Sequence, residues 1–216
     1  MRLNESTIIV GDGVLLVPYR KEHVHKYHEW MQDEEMREQT ASEALSLEEE
    51  YAMQRSWHLD DDKLTFIVLR RRAGASISSA REALHEAEMV GDVNLFLSLD
   101  DDEEVEIMIA EPRARRQGLA FESLCLLLRY ATTTASASTS ASNSSSLLPL
   151  APSAFRAKIG LSNAKSRALF AKLGFEEHKV VKVFEEVELR WTGFKHHSGA
   201  TETLRLLHWP REEHDE

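Results

Sequence analysis

Apolar positions recur along this chain with two periods, and the switches between them mark out strands and helices. Val14-Leu15-Leu16-Val17 has strand character and is stopped by Pro18. From about Glu22 to Met31 the spacing is helical, and the acidic patch Asp33-Glu34-Glu35 that follows reads as a solvated turn. A second helix opens on a capping box, Ser46 with Glu49 three residues on, followed by Tyr51, Ala52 and Arg55 at helical spacing. Lys63–Leu69 and Met89–Leu97 are rich in β-branched and aromatic residues and read as strands. Between them, Arg70–Glu88 is longer than a hairpin needs and reads as an inserted loop, with one helical turn near Ala80–Ala87.

Glu103–Ile109 alternates, placing Val105, Ile107 and Ile109 on one face and Glu104, Glu106 and Met108 on the other. Leu124, Leu127, Leu128 and Ala131 then form the core stripe of a helix that starts near Gly118. Thr132–Ser146 is almost entirely Ala, Ser and Thr, too poor in apolar surface to offset the cost of ordering, and is expected to be a flexible surface loop. Phe155–Ile159 is a strand, and Asn163–Leu173 a helix capped by Gly174. Phe175–Trp191 supplies two more strands with a turn near Lys179–Lys182. The order β-α-α-β-β-β-α-β-α-β-β predicts an α/β domain, a mixed sheet with helices on its faces, over residues 1–192. A low-complexity loop lies at about 132–154, an insert at about 70–88, and residues 193–216 read as a polar, poorly ordered tail.

Composition narrows the function classes. A formal charge of −11 argues against nucleic-acid binding and is compatible with a cationic substrate such as an amine or basic peptide. No apolar run is long enough for a membrane helix, and the first residues carry no secretory h-region. Cys125 is the single cysteine, so no intrachain disulfide can form, and a reducing, cytoplasmic setting is expected. His25 and His28 could share a helix face, but no acid or cysteine joins them in a ligand pattern, and no metal is expected.

The most informative stretch is the strand Glu104–Ile109 running through Pro112 and Arg113, Arg115 and Arg116 into the small residues Gly118 and Ala120 and then a helix. The first amides of a helix lack internal partners and, with the helix dipole, attract an anion. Three arginines beside them in an acidic protein point to a bound polyanion. Gly11-Asp12-Gly13 has no lysine and no helix after it, and reads as a hairpin turn.

Arg115-x-x-Gly118-x-Ala120 resembles the acetyl-CoA motif of the GNAT acetyltransferases. Asn163-x-x-Ser166-x-x-Leu169-Phe170-x-Lys172-x-Gly174-Phe175 resembles that superfamily's second block, in the same order. Glu22–Trp30, Ala41–Trp57, Phe66–Leu69, Met89–Leu97 and Val105–Pro112 are similar to its N-acetyltransferase 9 branch, the alpha/beta-tubulin N-acetyltransferases. The resemblance implies an acetyl-CoA-dependent N-acetyltransferase acting on an amine, of a protein N-terminus or lysine, with tubulin suggested by the branch alone. It implies that the strand before the turn splays from its neighbour. Ile107, Met108 and Ile109 would then hold the pantetheine arm, and Arg115, Arg116, Gln117, Gly118, Leu119 and Ala120 the pyrophosphate. Asn163 and Phe170 would lie at the thioester end.

Glu104 sits where many relatives carry a glutamate, and Glu106 shares its face, so one of the pair could be a general base with a raised pKa. The alternative is a pair of exposed strand carboxylates. Two departures stand out: Phe170 replaces the tyrosine that is the superfamily's common general acid, and Arg116 replaces the motif's first glycine. They favour one other reading, a catalytically weak GNAT-fold binding protein acting on microtubules, while the acidic charge leaves open another, a small-molecule polyamine or antibiotic acetyltransferase.

Overall fold

The computed structural model describes residues 1–72, 77, 79–98, 102–134, 148–194 and 204–210. Nine strands form one sheet: β1 Thr7–Val10, β2 Val14–Pro18, β3 Lys63–Arg70, β4 Glu88–Phe96, β5 Glu103–Ile109, β6 Phe155–Gly160, β7 Phe175–Val181, β8 Glu186–Trp191 and β9 Arg205–His208. Their spatial order is β7-β8-β6-β5-β4-β3-β2-β1-β9, antiparallel throughout except for β5 against β6. The helices are α1 Val24–Trp30, α2 Glu34–Gln39, α3 Leu47–Leu59, α4 Ala80–His85, α5 Leu119–Thr133 and α6 Ala164–Leu173.

Two apolar clusters cover the two faces of the sheet. One joins Ile9, Val14, Leu16, Phe66, Val93, Leu95 and Val105 to Leu124, Leu127 and Leu128 of α5 and to Phe170 and Leu173 of α6. The other joins Ile8, Leu15, Val17 and Ile67 to Val24, Tyr27 and Trp30 of α1, with Tyr51 and Trp57 of α3 alongside. β2 is buried at all five positions, because its residues face these clusters alternately.

The sequence reading differs from this architecture at four places. β1 was not foreseen, although the Gly11–Gly13 hairpin needs a strand before it: Gly11 donates to the Val14 carbonyl at 2.9 Å, and Gly13 to Glu122 of α5. The acidic patch is helix α2, because Asp33 accepts from the Met36 amide and caps its start. The β7–β8 turn sits at Lys182–Glu185. The tail contributes β9, whose Leu207 and the following Trp209 pack on the α1 side of the sheet. Most of the Ser-rich loop lies outside the described residues; α5 runs through Thr133 into its start.

Candidate active site

The sheet opens between β5 and β6. These strands run parallel, and their register covers Glu103↔Phe155 and Glu104↔Arg156 alone, although β5 continues to Ile109 and β6 to Gly160. On its other side β5 is paired along its length with β4. Alternate residues of an antiparallel strand turn their backbone groups to the same side. Ala110 donates to the Val90 carbonyl on the β4 side, and the Met108 carbonyl also faces β4, next to Gly91. The odd-numbered residues therefore turn their backbone groups toward the opening. Among the described residues Ile107 has no strand partner on that side, whereas the Ile109 carbonyl is taken by Arg115 Nε at 2.9 Å. Of the three residues expected to hold the arm, Met108 is thus committed to β4 through its backbone, and its side chain packs on the α1 side.

Gly91 sets this geometry, and the sequence reading passed over it. A Cβ there would lie 1.9 Å from the Met108 carbonyl oxygen, so β4 and β5 can approach this closely only at glycine. Just beyond, the Val90 carbonyl accepts from both Ala110 at 2.9 Å and Glu111 at 3.2 Å, the hydrogen-bond pattern of a bulge. Its sequence signal was a glycine inside an otherwise apolar strand.

The turn after β5 is a 3-10 turn at Pro112–Ala114, then Arg115 to Gly118, then α5. Gly118 is left-handed at φ 84°, and no side chain caps the helix, so its first amides face outward. Arg116 is left-handed too, at φ 64°. It holds the backbone shape of the glycine it replaces, at a strain of about 1 kcal/mol or more. Arg115, Arg116, Gln117 and Gly118 are exposed, Ala120 is half-buried, and Leu119 points its side chain into the core. Arg115 spends its guanidinium on the Ile109 and Ala110 carbonyls, and Gln117 bonds the Arg113 carbonyl, so these two side chains brace the turn. The backbone amides and Arg116 are what the turn presents to an anion.

Glu104 and Glu106 lie on the same face of β5 in different company. Glu104 accepts from Lys158 at 2.7 Å and pairs with the Arg156 guanidinium at 3.4 Å, both from β6. Glu106 has its carboxyl pushed up to about 7 by desolvation first, then by the Glu104 and Asp92 carboxylates, against a downward pull from Lys158 and Lys63. Glu106 is exposed to solvent, as a proton acceptor must be, and that exposure screens part of the shift. Across β4, Asp92 is 2 % exposed and pushed up to about 6 by burial, while hydrogen bonds from Asn94 and Tyr27 oppose the rise. Sequence reasoning missed Asp92, Asn94 and Lys158, because nothing in the local pattern tells which residues of neighbouring strands surround Glu106.

Asn163 caps α6, accepting from the Ser166 amide at 3.0 Å. Phe170 is 3 % exposed and packs edge-to-face on Phe175 at 4.9 Å, so the position is core and offers no proton. Among the helix-borne histidines, His23 is buried and held down to about 4, chiefly by burial and then by the Arg20 charge, while its Nδ1 accepts from the Arg20 amide. Among the described residues no group of three His, Cys, Asp or Glu side chains is arranged to hold a metal ion.

Residues 14–176 match the family model described as an acetyltransferase (GNAT) domain. The chain is 46% identical over 196 residues to the human alpha/beta-tubulin-N-acetyltransferase 9, covering 89% of this chain and 86% of that protein. It is equally identical, at 46% over 194 residues, to the protein of the same name from Drosophila melanogaster, covering 88% of each. Among solved structures, spermidine N-acetyltransferase from Vibrio cholerae in complex with CoA and spermine superposes with a TM-score of 0.62 at 17% identity, over 82% of this chain and 93% of that one.

Proposed function

The chain belongs to the GNAT acetyltransferases and is an N-acetyltransferase; on that premise we propose that it moves an acetyl group from acetyl-CoA to a primary amine of a protein, with tubulin the acceptor to test first. The observation that carries the co-substrate is the opening between β5 and β6, beside the outward-facing amides of the Arg116–Ala120 turn. The arm of acetyl-CoA would run along the backbone groups of Ile107, beyond the last β5–β6 pair. The pyrophosphate would sit on the turn amides and Arg116, where the α5 dipole favours an anion. Gly118 leaves open space for that approach.

Acetyl-CoA supplies the activated acyl group, and the chain supplies position and a proton acceptor. Glu106 would take the proton from the attacking amine: its carboxyl is pushed up to about 7, chiefly by desolvation, and it is reachable from solvent. Glu104, tied to Lys158 and Arg156, would shape the field at the apex of the opening. Of the two candidate acids, the assignment therefore favours Glu106. Ile109, Arg115 and Gln117 would act by holding the turn.

A protein acceptor is supported by the names of the relatives that are 46% identical over the aligned residues, and by an apolar tip at the end of the sheet where the opening lies. There Val183 and Phe184 are 81% and 70% exposed on the β7–β8 turn, next to Leu161, whose amide bonds the Glu185 carbonyl. The buried Cys125 thiol is consistent with a reducing, cytoplasmic setting. Phe170 favours a second reading, a weakly catalytic protein that binds acetyl-CoA, because the position cannot protonate a leaving thiolate.

Calorimetric titration with acetyl-CoA, followed by thiol release against tubulin, free-N-terminus and lysine peptides and spermidine, tests the proposal. Binding with release on tubulin or a peptide supports it. Release on spermidine alone moves the acceptor to small polyamines, and binding without release on any of them leaves the weak-catalyst reading in its place. A folded protein that does not bind acetyl-CoA overturns the site.

A further inference from the structure

Beneath Glu106 the sheet carries a row of polar side chains that the apolar clusters do not explain. Thr65 of β3, Asn94 of β4 and Glu106 of β5 stand in direct cross-strand register. Residues so paired put their Cβ atoms on one face, about 4.5–5.5 Å apart. Asn94 is 6% exposed. Its Nδ2 donates to Asp92 Oδ2 at 2.8 Å, an oxygen that also accepts from the Tyr27 hydroxyl at 3.4 Å. With the amide nitrogen drawn along the strand to Asp92, Oδ1 is turned away from it. That Oδ1 is buried and has no hydrogen-bond donor among the described residues. The Thr65 hydroxyl across from it is likewise buried without a partner among the described residues; a buried acceptor without a donor costs about 1–3 kcal/mol, which a donor arriving at Oδ1 would relieve.

We propose that Asn94, anchored by Asp92, is a positioning residue for Glu106: when Glu106 takes the proton of the attacking amine, its new O–H donates to Asn94 Oδ1. The inference rests on the reading of Glu106 as proton acceptor. The step balances, since the nitrogen–hydrogen bond of the amine breaks, an oxygen–hydrogen bond forms on Glu106, and its hydrogen occupies the vacant lone pair of Asn94. Ionised Glu106 has nothing to donate, so the contact favours the protonated carboxyl alone. The Asp92 carboxylate fixes the amide orientation that makes this possible, since the reversed amide would set oxygen against oxygen. The other charged groups that face Glu106 are Glu104 on its own strand, Asp92 on β4, Lys63 on β3 and Lys158 on β6, with the Tyr27 hydroxyl of α1 over Asp92.

The test is a carbon-13 carboxyl titration of the intact protein by NMR, with Glu106 assigned through Glu106→Gln. The variants are Asn94→Leu, Asn94→Ala and the control Thr65→Val, which disturbs packing in the same row without removing the acceptor. Losing the Asn94 oxygen should lower the Glu106 midpoint by about one pH unit, a tenfold change in proton affinity. Thr65→Val should leave it in place. If either folded Asn94 variant titrates within about 0.3 units of wild type, or if Thr65→Val shifts it equally, the proposal falls. The acid limb of kcat/KM for the acceptor separates this from the catalytic reading. A limb that follows the NMR midpoint supports both; a midpoint that moves under a stationary limb keeps the Asn94–Glu106 contact and removes Glu106 as the base.

Discussion

Glu104 and Glu106 are the same residue two positions apart on one face of β5, and their neighbours give them different chemistry. Two basic side chains from β6 pair with Glu104, while desolvation and two nearby carboxylates push Glu106 up to about 7. A carboxyl raised in the folded state above its unfolded value costs stability once the unfolded chain would ionise. That cost is absent below about pH 4, grows as pH rises, and is complete above about 7. Glu106→Gln should therefore melt higher than wild type at pH 8 and equally at pH 4, while its acetyl transfer falls by about 10²–10⁴-fold. Melting curves at the two pH values, with rates at pH 8, check both halves. A variant that is less stable at pH 8 would contradict the placement of Glu106 among unfavourable neighbours. The pair was legible in the sequence as two strand carboxylates; their division of labour was not, because Lys158 and Arg156 come from a strand more than fifty residues away.

At the scale of elements, the opening depends on β5 being held firmly to β4 while it leaves β6. Gly91 is where that hold is tightest, with the Met108 carbonyl where a side chain would begin. Gly91→Ala must push β5 away from β4, at a cost of about 1–3 kcal/mol for overpacking. It should also weaken acetyl-CoA binding several-fold, since Ile107 and the Arg115 brace move with the strand. Calorimetry on the folded variant checks this, and unchanged affinity at lowered stability would separate the β4–β5 contact from the co-substrate site. The strand–turn–helix was legible from alternation, Pro112 and the small residues at 118 and 120. The parting of β5 from β6 was implied by resemblance alone, since no local pattern says where a parallel ladder ends.

Over the whole molecule, the sheet order separates two jobs. The opening lies between β6 and β5, whereas β9 closes the opposite edge by pairing Arg205–His208 with Val10–Thr7 of β1. Trp209 then meets His23 edge-on at 6.0 Å, and the Arg20 guanidinium lies over its ring at 5.0 Å. Truncation before Leu204 would bare the β1 edge and lose half-buried Leu207 and Trp209, costing about 1–3 kcal/mol and raising the tendency to aggregate. Affinity for acetyl-CoA should stay within about twofold, a change below 0.5 kcal/mol. Loss of binding in a truncated but folded chain would show that the β9 edge and the opening are coupled.

What the sequence determined by itself is what neighbours along the chain decide: the periods of strands and helices, the capping box at Ser46, and the turn whose amides face an anion. Those features depend on residues a few positions apart, and local sterics and hydrogen bonding are enough to specify them. Tertiary structure decided the rest. It recruited a polar tail as an edge strand, made Phe170 a core ring, and set Gly91 against Met108 and Asn94 against Glu106. Each of those outcomes is a contact between segments distant in sequence, selected by sheet register and shared burial, and none is written in any single stretch of the chain.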